Sequence, residues 1–189
     1  MIKAVIFDCF GVLYIDAHKS LAEQYPEASQ ELSELRRRAD YGLLNRQEYI
    51  QAMASATGLD GQAIEQQIQQ EHALNAPLVE YIKDELKAHY KIGMLSNIGR
   101  GWVQDFFSEH DLHDFFSAVV LSGEQRCVKP DPKIYELMAN RMSLQTSECI
   151  MIDDILANCE GAKQAGMQAI HYTGLKETKQ QLKQFLALQ

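Results

Sequence analysis

Residues 4–14, AVIFDCFGVLY, decide the fold. Ala4–Phe7 is an unbroken apolar run, the pattern of a parallel strand covered on both faces. It leads straight into an acid, Asp8, and then into Gly11. Four later runs have the same form: Ile92–Leu95, Ala118–Leu121, Ile150–Ile152 and Ala169–Tyr172. Helical patterns lie between them. In DPKIYELMANRM, residues 131–142, Asp131 is a candidate N-cap and Pro132 takes the first helical position. Ile134, Leu137 and Met138 then share one face. NCEGAKQAGM, residues 158–167, closes on Gly166, a natural left-handed terminator. This alternation predicts an α/β fold, a Rossmann-like parallel five-stranded sheet with helices on both faces.

The interval from Ile15 to Tyr90 is far longer than one crossover helix. It reads as helices: SLAEQY (20–25), ELSELRRRADYGLL (31–44), RQEYIQAMASAT (46–57) and GQAIEQQIQQEHAL (61–74). PLVEYIKDELKAH (77–89) then leads back to the second strand. The expectation is a core of residues 1–15 and 88–189 that carries a small all-helical cap domain, residues 16–87.

The chain has 189 residues, with 18 Lys and Arg against 26 Asp and Glu, a net charge of −8. That balance speaks against nucleic-acid binding, which needs a basic face. No stretch has the length of a membrane span. The apolar N-terminal segment contains Asp8 and reads as a strand, not as a signal peptide. Cys9, Cys127, Cys149 and Cys159 form no CxxC pair and read as reduced thiols of a cytoplasmic protein.

In open α/β sheets, ligands bind at the carboxyl ends of the strands. Asp8 and Gly11 follow the first run, Ser96 and Asn97 the second. Lys129 lies in the loop after the third, and Asp153 and Asp154 follow the fourth. Each alone is ordinary: an Asp after a strand is usually a helix cap, and a Lys is usually solvated. Their recurrence at successive strand ends marks one rim as a site.

These residues resemble the four motifs of the haloacid dehalogenase superfamily, made up mostly of phosphatases, and the resemblance spans essentially the whole chain. FDCFGVLY (7–14) matches the first motif, LSN (95–97) the second, VKPDPKIYE (128–136) the third and MIDDILANCEGAKQAGM (151–167) the fourth. The resemblance implies Asp8 as nucleophile and Mg²⁺ held by Asp8, the Phe10 carbonyl and Asp154. It places Asp153 and Asn158 behind the metal ligands, and Lys129 as the group that neutralises charge on Asp8 and the phosphoryl group. Ser96, Asn97 and backbone N–H groups near Gly11 would hold phosphoryl oxygens. The implied substrate is a small phosphorylated molecule.

One position departs from the pattern. Most phosphatases of this superfamily carry a second Asp two residues after the nucleophile, as general acid and base; here that residue is Phe10. Three readings stand. The chain is a Mg²⁺-dependent phosphatase that needs little protonation or takes a proton from the cap, with Tyr14, Asp16 and His18 as the first candidates. It is a metal-free 2-haloacid dehalogenase, since those enzymes carry an aromatic residue here. Or it is a catalytically weak phosphate-binding protein. The Asp153–Asp154 pair favours the first, because dehalogenases carry a Ser- and Asn-rich version of that motif.

Other residues read more plainly. At least two of Arg36, Arg37 and Arg38 belong to a solvated helix face, and one can reach substrate. Trp102 is expected to begin a helix and to anchor core or cap. His171 is expected to be a buried, satisfied side chain, and Cys9 to pack away from the site.

Overall fold

In the computed structural model the described residues are 1–16 and 20–186. The chain opens with β1 (Ala4–Phe7), β2 (Tyr14–Asp16) and α1 (Leu21–Gln24). Three longer helices follow, α2 (Ser29–Asp40), α3 (Arg46–Thr57) and α4 (Gly61–Gln70), then β3 (His72–Leu74) and α5 (Ala76–Tyr81). The rest alternates: β4 (Lys91–Ser96), α6 (Glu109–Phe115), β5 (Ala118–Leu121), α7 (Ser122–Gln125), α8 (Pro132–Arg141), β6 (Cys149–Asp153), α9 (Leu156–Gln164), β7 (Gln168–His171) and α10 (Leu175–Phe185).

The main sheet is parallel, in the order β5-β4-β1-β6-β7. The five strands fall on the five apolar runs to within a residue or so at each end. β1 is central and buried on both faces. Val5 and Phe7 pack with α5 and α10, and Ala4 and Ile6 pack with α8 and α9. Burying each large side chain contributes about 1.5–3 kcal/mol at most, so this strand fixes the middle of the sheet. The expected cap of α8 is present, with the Asp131 carboxylate accepting from Lys133 N (3.0 Å). Gly166 ends the turn after α9 with φ +89°.

The chain runs from β1 out to β4 and β5, then crosses back to β6 on the other side of β1. The order therefore reverses between β1 and β6, and at such a switch point the carboxyl ends open a crevice.

Helices α1 to α4 form their own apolar cluster around Leu32, Leu35, Tyr49, Ile50, Met53 and Ile64. Asn45 and Glu48 make a capping box at the start of α3, and Asp60 caps α4. Two expectations change at the edges of this unit. The fourth helical pattern stops at Gln70. His72–Leu74 instead pairs antiparallel with Tyr14–Asp16, a two-stranded neck between the main sheet and the helices. Short strands are decided by their partner and not by their own propensity. The segment after Asn75 also leaves the helical unit: Leu78, Tyr81, Ile82 and Leu86 pack in the sheet's core. We therefore propose that the cap ends near residue 75, not 87. α5 stops at Tyr81 and continues as one wider turn, Ile82–Leu86, closed by Lys87 N to Ile82 O (2.9 Å).

Candidate active site

Asp8 follows β1 and Asp153 ends β6, directly beside it. The two strands are in register at Phe7 and Ile152, and Asp8 N donates to Ile152 O (2.9 Å). Strand pairing across the switch point thus sets two carboxylates side by side. Asp154 joins them, and one oxygen from each of Asp8, Asp153 and Asp154 lies within 4.8 Å of the others. Asp8 and Asp153 are buried.

Lys129 holds the pair together. Its side chain is 1% exposed, and Nζ lies 2.8 Å from Asp8 Oδ1 and 2.6 Å from Asp153 Oδ2. Asp8 Oδ1 also accepts from Cys9 N (2.7 Å), which fixes the orientation of the carboxylate. Asp153 accepts further from Ile155 N (2.9 Å) and from Asn158 Nδ2 (3.0 and 3.2 Å). With this many donors Asp153 is a structural hub, and Asn158, which also lines the cleft, is tied to it.

Burial pushes the Asp8 carboxyl well up; Lys129 opposes the rise and the Asp153 charge adds to it. Burial also works against the charge on Lys129, but Asp8 and Asp153 overcome it and raise its pKa. Three carboxylates against one ammonium leave an excess of negative charge in a low-dielectric pocket. A hard divalent cation fits that donor set. We propose Asp8 and Asp154, with the Phe10 carbonyl, as the groups that would hold it. The loop turns back on itself through Tyr14 N to Cys9 O (2.8 Å) and Gly11 N to Tyr14 O (2.6 Å), and neither bond uses that carbonyl.

The three residues expected to hold phosphoryl oxygens are placed differently. The Gly11 N–H is occupied by Tyr14, so Gly11 serves by being small, beside Asp154. Asn97 is tied to the loop of Lys129: its Oδ1 accepts from Lys129 N (2.9 Å) and its Nδ2 donates to Lys129 O (3.0 Å). It positions Lys129 while also lining the cleft. Ser96 is buried, and its hydroxyl has no hydrogen-bond partner among the described residues.

Above Asp8 is a cleft of about 330 Å³. Its floor includes Asp8, Lys129 and Asp154, and its opposite wall includes Arg36, Asp40 and His72. Beside it lies a compartment lined by Tyr49, Ile50, Met53, Ile68, Trp102 and Phe106 together with charged residues, Arg46, Glu71 and Asp105 among them. Of the three consecutive arginines, Arg36 faces the cleft, Arg37 pairs with Glu34 on the surface and Arg38 is exposed. Trp102 bridges the two units as expected, 4.5 Å from the Tyr49 ring, although a short 3-10 turn follows it and not an α-helix.

Phe10 lies with its ring 4.6 Å from His72 and 4.9 Å from Phe106. Of the proton sources suggested by the sequence, the Tyr14 hydroxyl donates to Phe106 O (2.9 Å) and lines a different groove. His18 lies outside the described residues, and so does the placement of the Asp16 side chain. His171 is exposed, not buried, because β7 is the sheet's edge; its Nε2 meets Asp154 O at 2.8 Å. Cys9 packs in the core, as expected, and burial raises its thiol. The cleft residues Asp40 and His72 were missed by sequence reading. They come from a helix end and from a strand whose pattern looked helical.

The fold and this constellation define a class, and residues 2–166 match the family model of haloacid dehalogenase-like hydrolases. The chain belongs to that family. It is 27% identical to a sesquiterpene phosphatase of Aspergillus oryzae, over 97% of this chain and 96% of that protein. Matches to several other curated phosphatases are shorter and take in only 27–40% of those proteins' lengths. Among solved structures, a family enzyme from Bacteroides thetaiotaomicron in complex with magnesium and inorganic phosphate has a TM-score of 0.74 at 20% identity, covering 90% of this chain and 93% of that one. L-2-haloacid dehalogenase from Xanthobacter autotrophicus has a TM-score of 0.64 at 20% identity, covering 97% and 83%. No described helix is long and apolar enough to cross a membrane.

Proposed function

We propose that this chain is a Mg²⁺-dependent phosphatase that cleaves a small phosphorylated metabolite through an aspartyl-phosphate on Asp8. The observation that carries the reading is the Asp8–Asp153–Asp154 cluster, with Lys129 bridging Asp8 and Asp153. A phosphate monoester is a dianion and would be repelled by these carboxylates. Mg²⁺, when bound, offsets that charge and aligns the phosphoryl group for in-line attack. Asp8 supplies the attacking oxygen, and its carboxylate is already oriented by Cys9 N and Lys129. Lys129 stabilises charge on both the nucleophile and the transferring group. The buried hydroxyl of Ser96 gains an acceptor when a phosphoryl oxygen reaches it. The phosphatase names of its relatives agree with this chemistry.

The aromatic residue at position 10 favours a second reading, a metal-free dehalogenase. The acidic cluster speaks against it, since displacement of halide by Asp8 needs no cation. A panel of phosphorylated metabolites and 2-haloacids, each with and without Mg²⁺, separates the two. Mg²⁺-dependent phosphate release that Asp8→Asn abolishes is the expected result. Metal-independent halide release would establish the other reading.

A further inference from the structure

We propose that Asp40 is the general acid and base of this site, supplied by the cap in place of the carboxyl that Phe10 lacks; the proposal rests on the phosphatase reading above. α2 ends on Asp40, and that end is pinned to the core. The buried hydroxyl of Ser122, at the start of α7, donates to the Asp40 carbonyl (2.7 Å) and accepts from Ile98 N (3.0 Å). Ile98 follows Ser96 and Asn97, so the loop that leaves β4 at the active site also holds the cap residue in place.

Asp40 lines the same cleft as Asp8. It is near enough to Lys129, itself 2.8 Å from Asp8, for the two charges to interact. It also lines the neighbouring compartment. Asp40 shares this place with Phe10, Arg36, Glu71, His72 and Asn97, which also line both spaces. Of the two carboxylates among them, Glu71 already accepts from Leu21 N (3.0 Å), and Asp40 stands where the room for the phosphoryl group meets the room for the rest of the substrate. That boundary is where the ester oxygen must be protonated.

The groups around Asp40 suit it to the task. Arg36 faces it from the previous turn of its own helix, Lys129 from the core and Tyr49 from α3. Glu71 and His72 line the same cleft from the neck. Burial raises the Asp40 carboxyl to about 6, against the opposing pull of Arg36 and Lys129. A group near that value has both forms present close to neutrality, as an acid that later acts as a base requires.

In the first half of the reaction an Asp8 oxygen bonds to phosphorus while the bond from phosphorus to the ester oxygen breaks. The Asp40 proton passes to that oxygen, which leaves as a neutral alcohol, and Asp40 becomes a carboxylate. In the second half a water oxygen bonds to phosphorus and its proton returns to Asp40. The bond between phosphorus and Asp8 breaks, inorganic phosphate leaves, and both side chains are restored.

The test is a series of aryl and alkyl phosphates of increasing leaving-group pKa, followed with Mg²⁺ by steady-state and burst kinetics. The proteins are the parent, Asp40→Asn and Asp40→Glu. The parent should cleave both ends of the series. Asp40→Asn should lose about 10²–10⁴-fold on alkyl phosphates but keep a burst of phenol from aryl phosphates, because only the second half of that reaction needs the base. Asp40→Glu should recover part of the loss. Parental rates in Asp40→Asn overturn the proposal, as does an equal loss of the aryl burst, which would mark a packing role. A parent that cleaves aryl phosphates only also overturns it while leaving the phosphatase reading intact. A parent that releases phosphate from none of the series overturns the phosphatase reading and this proposal with it.

Discussion

Gly11 stands directly against the carboxylate of Asp154: a Cβ at position 11 would lie 2.3 Å from Asp154 Cγ and 2.6 Å from its Oδ1. The backbone there also has φ +83°, where a side chain costs about 1–2 kcal/mol. Any larger residue must therefore displace the carboxylate that we expect to hold the metal. Gly11→Ala should weaken Mg²⁺ binding severely and lower Tm by a few degrees. Calorimetry and thermal melts check both effects; parental Mg²⁺ affinity in the variant would show that Asp154 is not a ligand.

Lys129 supports the fold as well as the chemistry. Replacing it with Met keeps much of the volume but leaves Asp8 and Asp153 buried without their cation. Breaking a buried pair in this way typically costs about 3–5 kcal/mol. Lys129→Met should unfold at clearly lower denaturant than the parent and should have no activity. Added Mg²⁺ should restore part of the stability, since a ligand of the folded state stabilises it. Denaturant titrations with and without Mg²⁺ measure this, and a midpoint equal to the parent's would refute it.

The sheet was legible because its signal is local. A strand covered on both faces must be apolar throughout, and Ala4–Phe7 and Cys149–Asp153 show that in one dimension. Much of the site was legible for a related reason, because Asp8, Ser96 and Asp153 sit where strands end, and Lys129 lies in the loop between β5 and α8. The neck was not, because His72–Leu74 is a strand only through its pairing with Tyr14–Asp16. Nor was the role of Asn97, whose amide faces the backbone of a residue 32 positions away. Asp40 was hidden in an ordinary helix end, and only its docking on Ser122 turns it toward the chemistry.

Asp40 also predicts a pH dependence of stability. Its folded carboxyl lies near 6 against an ordinary 3.8, so the folded state binds the extra proton between those values. Its contribution favours folding below about pH 4 and is lost as pH rises toward 6. Asn cannot ionise and does not suffer that loss. Asp40→Asn should therefore gain Tm relative to the parent at neutral pH, and the gain should shrink near pH 4. A difference that is the same at both pH values would show that ionisation of Asp40 does not weaken the fold.

Phe10 and Asp40 can be set against each other directly. Phe10→Asp places a carboxyl two residues after the nucleophile and leaves the backbone carbonyl where it is. The change has a structural cost, because the half-buried Phe10 ring packs on His72 and Phe106. Removing a half-buried aromatic ring costs about 1–3 kcal/mol, less than a fully buried one. In the parent, where Asp40 already supplies the proton, Phe10→Asp should change alkyl phosphate turnover little. In Asp40→Asn it should restore a substantial part of the lost rate. Two residues that fill one role are non-additive, and the four proteins of the cycle measure that coupling. A gain of the same size in both backgrounds would mean that the two carboxyls act independently, and that Asp40 does not stand in for the acid missing at position 10.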